Sequence, residues 1–194
     1  MPQEQKSVIL KTNYDVFYGL TAEGLKGLEN YLIVLGKDKV YSVNFDSSGS
    51  ESLFMYNVLR QVFGNFKIIS DKNRIISDYT IFFSGLKLKL SYPGIVTKIF
   101  PVGSRFIERN VSVYNAYTIY PSTNPDSVLF SGSFGKNNSD KFDIDDREQV
   151  ESGEYDFLSS PLPAQKFWSR VMIPSLVIGL SALTIVLFFL VRSK

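Results

Sequence analysis

The sequence predicts an α+β fold, a mostly antiparallel sheet with one or two packed helices, followed by a single C-terminal transmembrane helix. Three observations lead to this prediction. The chain has 16 Phe and 11 Tyr residues, which favours strands over a helical bundle. Its middle contains long runs in which apolar and polar side chains alternate, as they do on the two faces of a strand. Near the C-terminus, residues 171–191 carry no charge.

The uncharged stretch has the length and the flanks of a membrane span. At the usual rise per residue it forms a helix about 31 Å long, which matches the hydrocarbon core of a bilayer. A soluble core helix of this length without a single charge is rare. Aromatic and basic side chains at both ends fit the membrane interface. These interface residues are Phe167, Trp168, Arg170, Arg192 and Lys194.

Small residues fall on one side of this span. Ser175, Gly179 and Ala182 lie at positions i, i+4 and i+7, which share a helix face. Small side chains let helix backbones approach closely, and such packing drives helix association in lipid. Two alternatives follow: the face packs against another transmembrane helix, or it reflects only the composition that is common in membrane helices.

The first 64 residues predict short strands and two helices. Thr21 has the side chain of an N-cap, and two glycines weaken the helix that would begin there. Residues 51–64 place apolar side chains at helical spacing and end at Gly64, which makes this the clearest helix before the span. The predicted elements are strands 7–10, 16–18, 31–35 and 39–45, and helices 21–30 and 51–64.

From residue 65 onward the pattern changes to strands. In the second of them, leucines alternate with Lys87 and Lys89, so that the two lysines lie opposite an apolar face. The fourth predicts a core face made by Val111, Val113, Asn115, Tyr117 and Ile119. The predicted strands are 66–69, 79–92, 95–100, 105–120 and 127–134.

These patterns divide the chain into four regions: an N-terminal segment 1–15, an α+β domain 16–158, a proline-containing linker 159–166 and a membrane anchor 167–194. The acidic residues 136–160 predict a solvated helix with its flanks. Asp143, Asp145 and Asp146 raise a calcium-loop alternative, but the loop glycine and the terminal glutamate of such a loop are missing. We therefore predict no metal site.

Composition excludes several kinds of chemistry. The chain has no His and no Cys, which removes the commonest general base and all thiolate sites. Its 21 basic and 19 acidic residues give no global basic field, so no nucleic-acid partner is predicted. Arg105, Arg109, Lys87 and Lys89 could form a basic strip on the sheet, although exposed faces of amphipathic strands are the better explanation.

The start of the chain bears on topology. Residues 1–15 contain only a three-residue apolar run, too short for a secretory signal. We therefore expect a tail-anchored protein, with the domain in the cytoplasm. N-x-S sequons begin at Asn110 and Asn137, and they matter only if the domain is luminal.

The middle of the chain resembles a bacterial envelope domain. The predicted helix 51–64 is followed by Phe66, a hydrophobic strand and Asp71. The sequence Ser77-Asp78-Tyr79 then opens a second strand that ends in a glycine, and a hairpin of long strands comes next. Over about residues 50–135 this order is similar to that of curli-secretion-type lipoproteins and of lipoprotein activators of penicillin-binding proteins. The resemblance implies a non-catalytic binding or assembly domain in the cell envelope.

Two function classes compete at this point. The first is a single-pass, C-terminally anchored subunit that docks another membrane or envelope protein and has no catalytic residues or cofactor. The alternative is a membrane-bound enzyme that uses carboxylate, Tyr or Lys groups. A deep pocket lined by acids would favour the enzyme, whereas an exposed apolar patch would favour the binding subunit.

Overall fold

A computed structural model describes residues 10–70, 76–97, 104–163, 175–185 and 188. The chain divides into two compact units, Met1–Pro161 and Leu162–Lys194. The first unit contains α-helices and a six-stranded mixed sheet, which confirms the α+β class. The expected strand over residues 7–10 lies almost entirely outside the described residues.

Two consecutive helices replace the short strands predicted in the first part of the chain. Helix α1 spans Asn13–Gly24 and helix α2 spans Lys26–Leu35. Thr12 and Asp15 form a capping box, in which each side chain accepts a hydrogen bond from the backbone N–H of the other residue, at 3.0 and 3.1 Å. Gly36 follows α2 as its C-terminal cap, and its φ of 118° suits glycine. The predictions of strands 16–18 and 31–35, and of an N-cap at Thr21, are therefore wrong.

The middle of the chain follows the sequence-based prediction more closely. Strand β1 covers Val40–Phe45 and helix α3 covers Ser50–Val62. Four further strands follow: β2 Lys67–Ser70, β3 Tyr79–Ser91, β4 Ile95–Thr97 and β5 Arg105–Pro121. Strand β6, Phe130–Asp143, is nine residues longer at its C-terminal end than predicted.

The sheet combines parallel and antiparallel pairs. Strand β1 lies between β2 and β3 and runs parallel to both, because α3 forms the crossover from β1 to β2. Strand β5 pairs antiparallel with β3 and β4 along one edge and with β6 along the other. The predicted mostly antiparallel sheet is therefore corrected to a mixed one, with more than one or two helices beside it.

A bulge in β3 keeps its apolar residues on the core face. The register with β5 shifts between Ser84 and Lys87, around Gly85, which has a φ of 64°. Before the bulge Ile81 and Phe83 face the core, and after it the leucines do so while the lysines stay exposed. The predicted core face of β5 is confirmed, since all five of its residues are buried.

The chain after β6 differs from the predicted acidic helix. Residues up to Asp143 continue β6, because pairing with β5 outweighs the low strand propensity of Gly, Asn and Asp. Only helix α4, Arg147–Val150, and the 3₁₀ turns Ile144–Asp146 and Asp156–Leu158 are helical.

In the second unit, residues 175–185 are helical. No helix within the described residues is long and apolar enough to cross a membrane. The expected span of 171–191 lies partly outside those residues.

Close packing between α1 and β6 leads to a stability prediction. A Cβ added at Gly24 would overlap the ring of Phe134, whereas one at Gly19, on the exposed side of the same helix, would meet no atom within 4 Å. We expect Gly24→Ala to lower the free energy of unfolding by about 1–3 kcal/mol through overpacking. Gly19→Ala should raise it by up to about 1 kcal/mol through higher helix propensity. Urea unfolding of the full chain in mild detergent measures both, and equal effects would contradict the packing.

Candidate functional site

A buried arginine joins several elements of the first unit. Arg109 on β5 lies on the core face with 2% of its surface exposed. Its Nε and Nη2 donate to the two carboxylate oxygens of Asp140 on β6, at 2.7 and 2.5 Å. Its Nη1 donates to the carbonyl of Lys11 and to the side chain of Asn13, at 2.9 and 3.0 Å. The guanidinium is therefore satisfied by protein groups, which makes it a structural centre.

Asn13 extends this network to two further segments. Its side-chain amide donates to the hydroxyl of Tyr92 at 3.0 Å and to the carbonyl of Leu158 at 2.7 Å. Burial raises the pKa of Tyr92 to about 12, so its hydroxyl stays protonated at neutral pH. The start of α1, the end of β3 and the last turn of the unit thus meet beside Arg109. We call Asn13, Tyr92, Arg109 and Asp140 the buried tie.

The groove beside the buried tie bears on the enzyme alternative. It has a volume of about 510 Å³, lies between α1 and β6, and includes Asp15, Glu23 and Asp140 in its lining. Asp15 belongs to the capping box, Asp140 pairs with Arg109, and Glu23 pairs with Lys136 at 2.6 Å. The hydrogen bond from Lys136 lowers the pKa of Glu23, whereas a general acid needs a raised one. These three carboxylates act as structural partners.

One of the acidic residues considered for a calcium site caps a local turn. The side chain of Asp143 accepts a hydrogen bond from the backbone N–H of Asp145 at 3.1 Å, which caps the following 3₁₀ turn. In the part of the chain that the structure describes, no three Asp or Glu side chains form a group that could hold a metal ion.

The basic strip considered from the sequence is divided by the sheet. Lys87 and Lys89 are exposed on the face opposite the helices, in register with Tyr114 and Ser112 of β5. Arg109 lies on the core face instead. It is two residues from Val111 and four from Val113, and strand residues at these spacings point to the same side of the sheet. Arg105 is exposed at the start of β5, but strand alternation places it on the same side as Arg109. Of these four residues, only the two lysines therefore share the face opposite the helices.

The residues predicted for the membrane anchor are only partly described. Phe167, Trp168, Arg170, Arg192 and Lys194 lie outside the described residues, and their interface role stays a prediction. Ser175, Gly179 and Ala182 fall in the helical residues 175–185 and are exposed there. A Cβ added at Gly179 would meet no atom within 4 Å. Helical geometry places the three on one face, and whether that face packs against another helix stays a prediction.

An apolar patch that sequence reasoning missed lies on α2 and around the start of β6. Tyr31 stacks on Phe130, and Val34 follows one turn later on the same helix face. Val34 is 83% exposed, and Val128 and Leu129, next to Phe130, are 57% and 47% exposed. We call Tyr31, Val34, Val128, Leu129 and Phe130 the α2 patch. Its signal was hidden because residues 31–35 were predicted as a strand.

A substitution separates the buried tie from ordinary surface ion pairs. Asp140→Ala leaves the buried Arg109 cation without its carboxylate, and we expect a loss of about 2–4 kcal/mol in unfolding free energy. The matched control is Glu108→Ala, which breaks the exposed pair with Lys141 on the same two strands and should cost less than about 1 kcal/mol. Urea unfolding of both variants in mild detergent measures the difference, and similar losses would contradict the structural role of the tie.

Comparison with known proteins adds no assignment. No protein-family model matches the chain, and no curated protein matches it. The resemblance to envelope lipoproteins therefore stays a prediction. Its segments have defined places in the fold, since residues 67–70 form β2, Tyr79 begins β3, and the long hairpin is β5 with β6.

Proposed function

We propose that this chain is a single-pass, C-terminally anchored membrane protein that acts as a non-catalytic interaction or assembly subunit of a membrane or envelope complex. The observation that carries the docking role is the α2 patch. Single exposed apolar residues are normal on a protein surface, but contiguous apolar patches mark interaction sites. The partner is another membrane or envelope protein that presents apolar side chains to this patch.

The composition of the second unit supports the anchor. The apolar side chains described in residues 175–185 are exposed around the helix, a distribution that suits lipid and is unfavourable in water. Ser181 and Thr184 donate their hydroxyls to the carbonyls of Val177 and Leu180, each at 2.8 Å. Polar groups satisfied within their own helix are what a bilayer requires.

The chemistry of the α2 patch supports a protein partner. Tyr31 supplies a large ring with a polar hydroxyl, a combination enriched at protein interfaces. Stacking on Phe130 fixes the ring, so little side-chain entropy is lost on binding. Val34, one turn after Tyr31, and Val128 and Leu129, next to Phe130, add exposed apolar area. Tyrosine is among the residues that contribute most of the binding energy at the centre of a contact.

Photo-crosslinking in native membranes tests the proposal. A benzophenone amino acid at Val34 should give one discrete crosslinked product. The same probe at Ser133, which is exposed on the sheet face opposite the helices, should not. Adding Leu129→Asp to the Val34 probe should reduce the yield about tenfold or more, because a charge is introduced into the apolar contact.

Two results would overturn the proposal. Equal crosslinking from Val34 and Ser133 would contradict the docking role of the α2 patch. A crosslinking yield from Val34 that Leu129→Asp leaves unchanged would contradict it as well. Release of the full chain from membranes by alkaline carbonate would contradict the membrane anchor.

A further inference from the structure

A polar groove crosses three strands on the sheet face opposite the helices. It has a volume of about 550 Å³. Residues from the three strands lie in register in two rows, as neighbours across β3, β5 and β6. The first row is Ser91, Asn110 and Ser139, and the second is Lys89, Ser112 and Asn137. We call these six residues the polar groove.

The groove concentrates neutral hydrogen-bonding groups. Asn110 and Asn137 each carry an amide that donates and accepts, and the three serines do the same through their hydroxyls. Ser139 donates to the side-chain oxygen of Asn110 at 2.7 Å, which fixes that amide in the groove. The two Asn-x-Ser segments of the sequence run antiparallel here, so each asparagine lies opposite a serine of the other. Such an array matches a ligand with many closely spaced hydroxyl groups.

A tyrosine continues the groove by one row. Tyr114 lies between Lys87 and Gly135 in the strand register and is 46% exposed. A Cβ at Gly135 or Gly85 would lie 3.7 or 3.8 Å from the Tyr114 ring, so both glycines keep side chains away from it. An accessible aromatic ring beside amides and hydroxyls offers a stacking surface for the C–H face of a sugar.

The charge around the groove selects among polyhydroxyl ligands. Lys89 lines the groove and Lys87 lies in the tyrosine row. Among the residues that the structure describes, neither lysine has an ion-pair partner. The next charged row holds Glu108 and Lys141, which neutralise each other at 2.9 Å. Among the described residues no acid lines the groove, so Lys89 and the neighbouring Lys87 favour a ligand that carries a carboxylate.

We infer that the polar groove, together with Tyr114 and Lys87, is a binding site for an acidic oligosaccharide. The amides and hydroxyls bind sugar hydroxyl and acetamido groups, Tyr114 stacks on a sugar ring, and Lys89 pairs with a carboxylate. The site shares no residue with the α2 patch and does not depend on the proposed docking role.

Calorimetric titration of the full chain in detergent micelles tests this site. The probes are a hyaluronan tetrasaccharide, which carries acetamido groups and carboxylates, and chitotetraose, which carries acetamido groups without charge. We expect saturable binding of the acidic probe in the millimolar range or tighter, and binding of the neutral probe about tenfold or more weaker.

Single substitutions test which side chains contact the acidic probe. Tyr114→Ala and Lys89→Gln should each lower the affinity for the acidic probe about tenfold. The control Ser131→Ala, exposed at the far end of the same sheet face, should bind as the parent does. Lys89→Gln should leave the neutral probe unchanged, which separates a lost charge from a damaged fold.

Three outcomes would overturn the inference. They are no saturable heat with the acidic probe at about 10 mM, equal affinity for both probes, and an affinity for the acidic probe that neither Tyr114→Ala nor Lys89→Gln changes.

Discussion

The first unit depends on one buried polar interaction, the bidentate pair of Arg109 with Asp140 and its continuation through Asn13. A guanidinium with 2% exposure is costly to bury, and it is tolerated here because each of its three nitrogens donates to a protein oxygen. Those partners come from β6, from the segment before α1 and from α1 itself, and Asn13 adds Tyr92 and Leu158. Elements far apart in sequence are thereby fixed to one strand, β5.

This arrangement covers one face of the sheet and leaves the other accessible. Helices α1 and α3 pack on the apolar face, where β5 places Val111, Val113 and Ile119. The bulge at Gly85 keeps β3 in phase with that division, so its lysines stay on the open face. The open face carries the polar groove, whereas the α2 patch lies on a helix and around the start of β6. One fold therefore presents two chemically different surfaces.

Sequence reasoning succeeded where side-chain period and burial agree, and failed where a helix cap or a tertiary contact decides. The alternation of β5 and the apolar spacing of α3 were sufficient to predict both elements. Helix α1 was missed because its start depends on the Thr12–Asp15 capping box, a stronger signal than the apolar triplet Val16–Tyr18 that was read as a strand. The end of β6 was missed because its residues have low strand propensity, and only pairing with β5 makes them a strand. The buried role of Arg109 could not be inferred from composition, since it requires knowledge of which carboxylate lies on the neighbouring strand.

The central claim is that the buried tie makes the start of α1 and the last turn of the first unit one cooperative structure with the sheet. Amide hydrogen exchange of the full chain in detergent micelles tests it most directly, through Val16, which donates to the carbonyl of Thr12, and Leu158, which donates to that of Tyr155. We expect these two amides to lose protection together in Asn13→Ala, while amides of β1 and α3 keep theirs. Loss of protection at Val16 alone, with Leu158 unchanged, would contradict the claim.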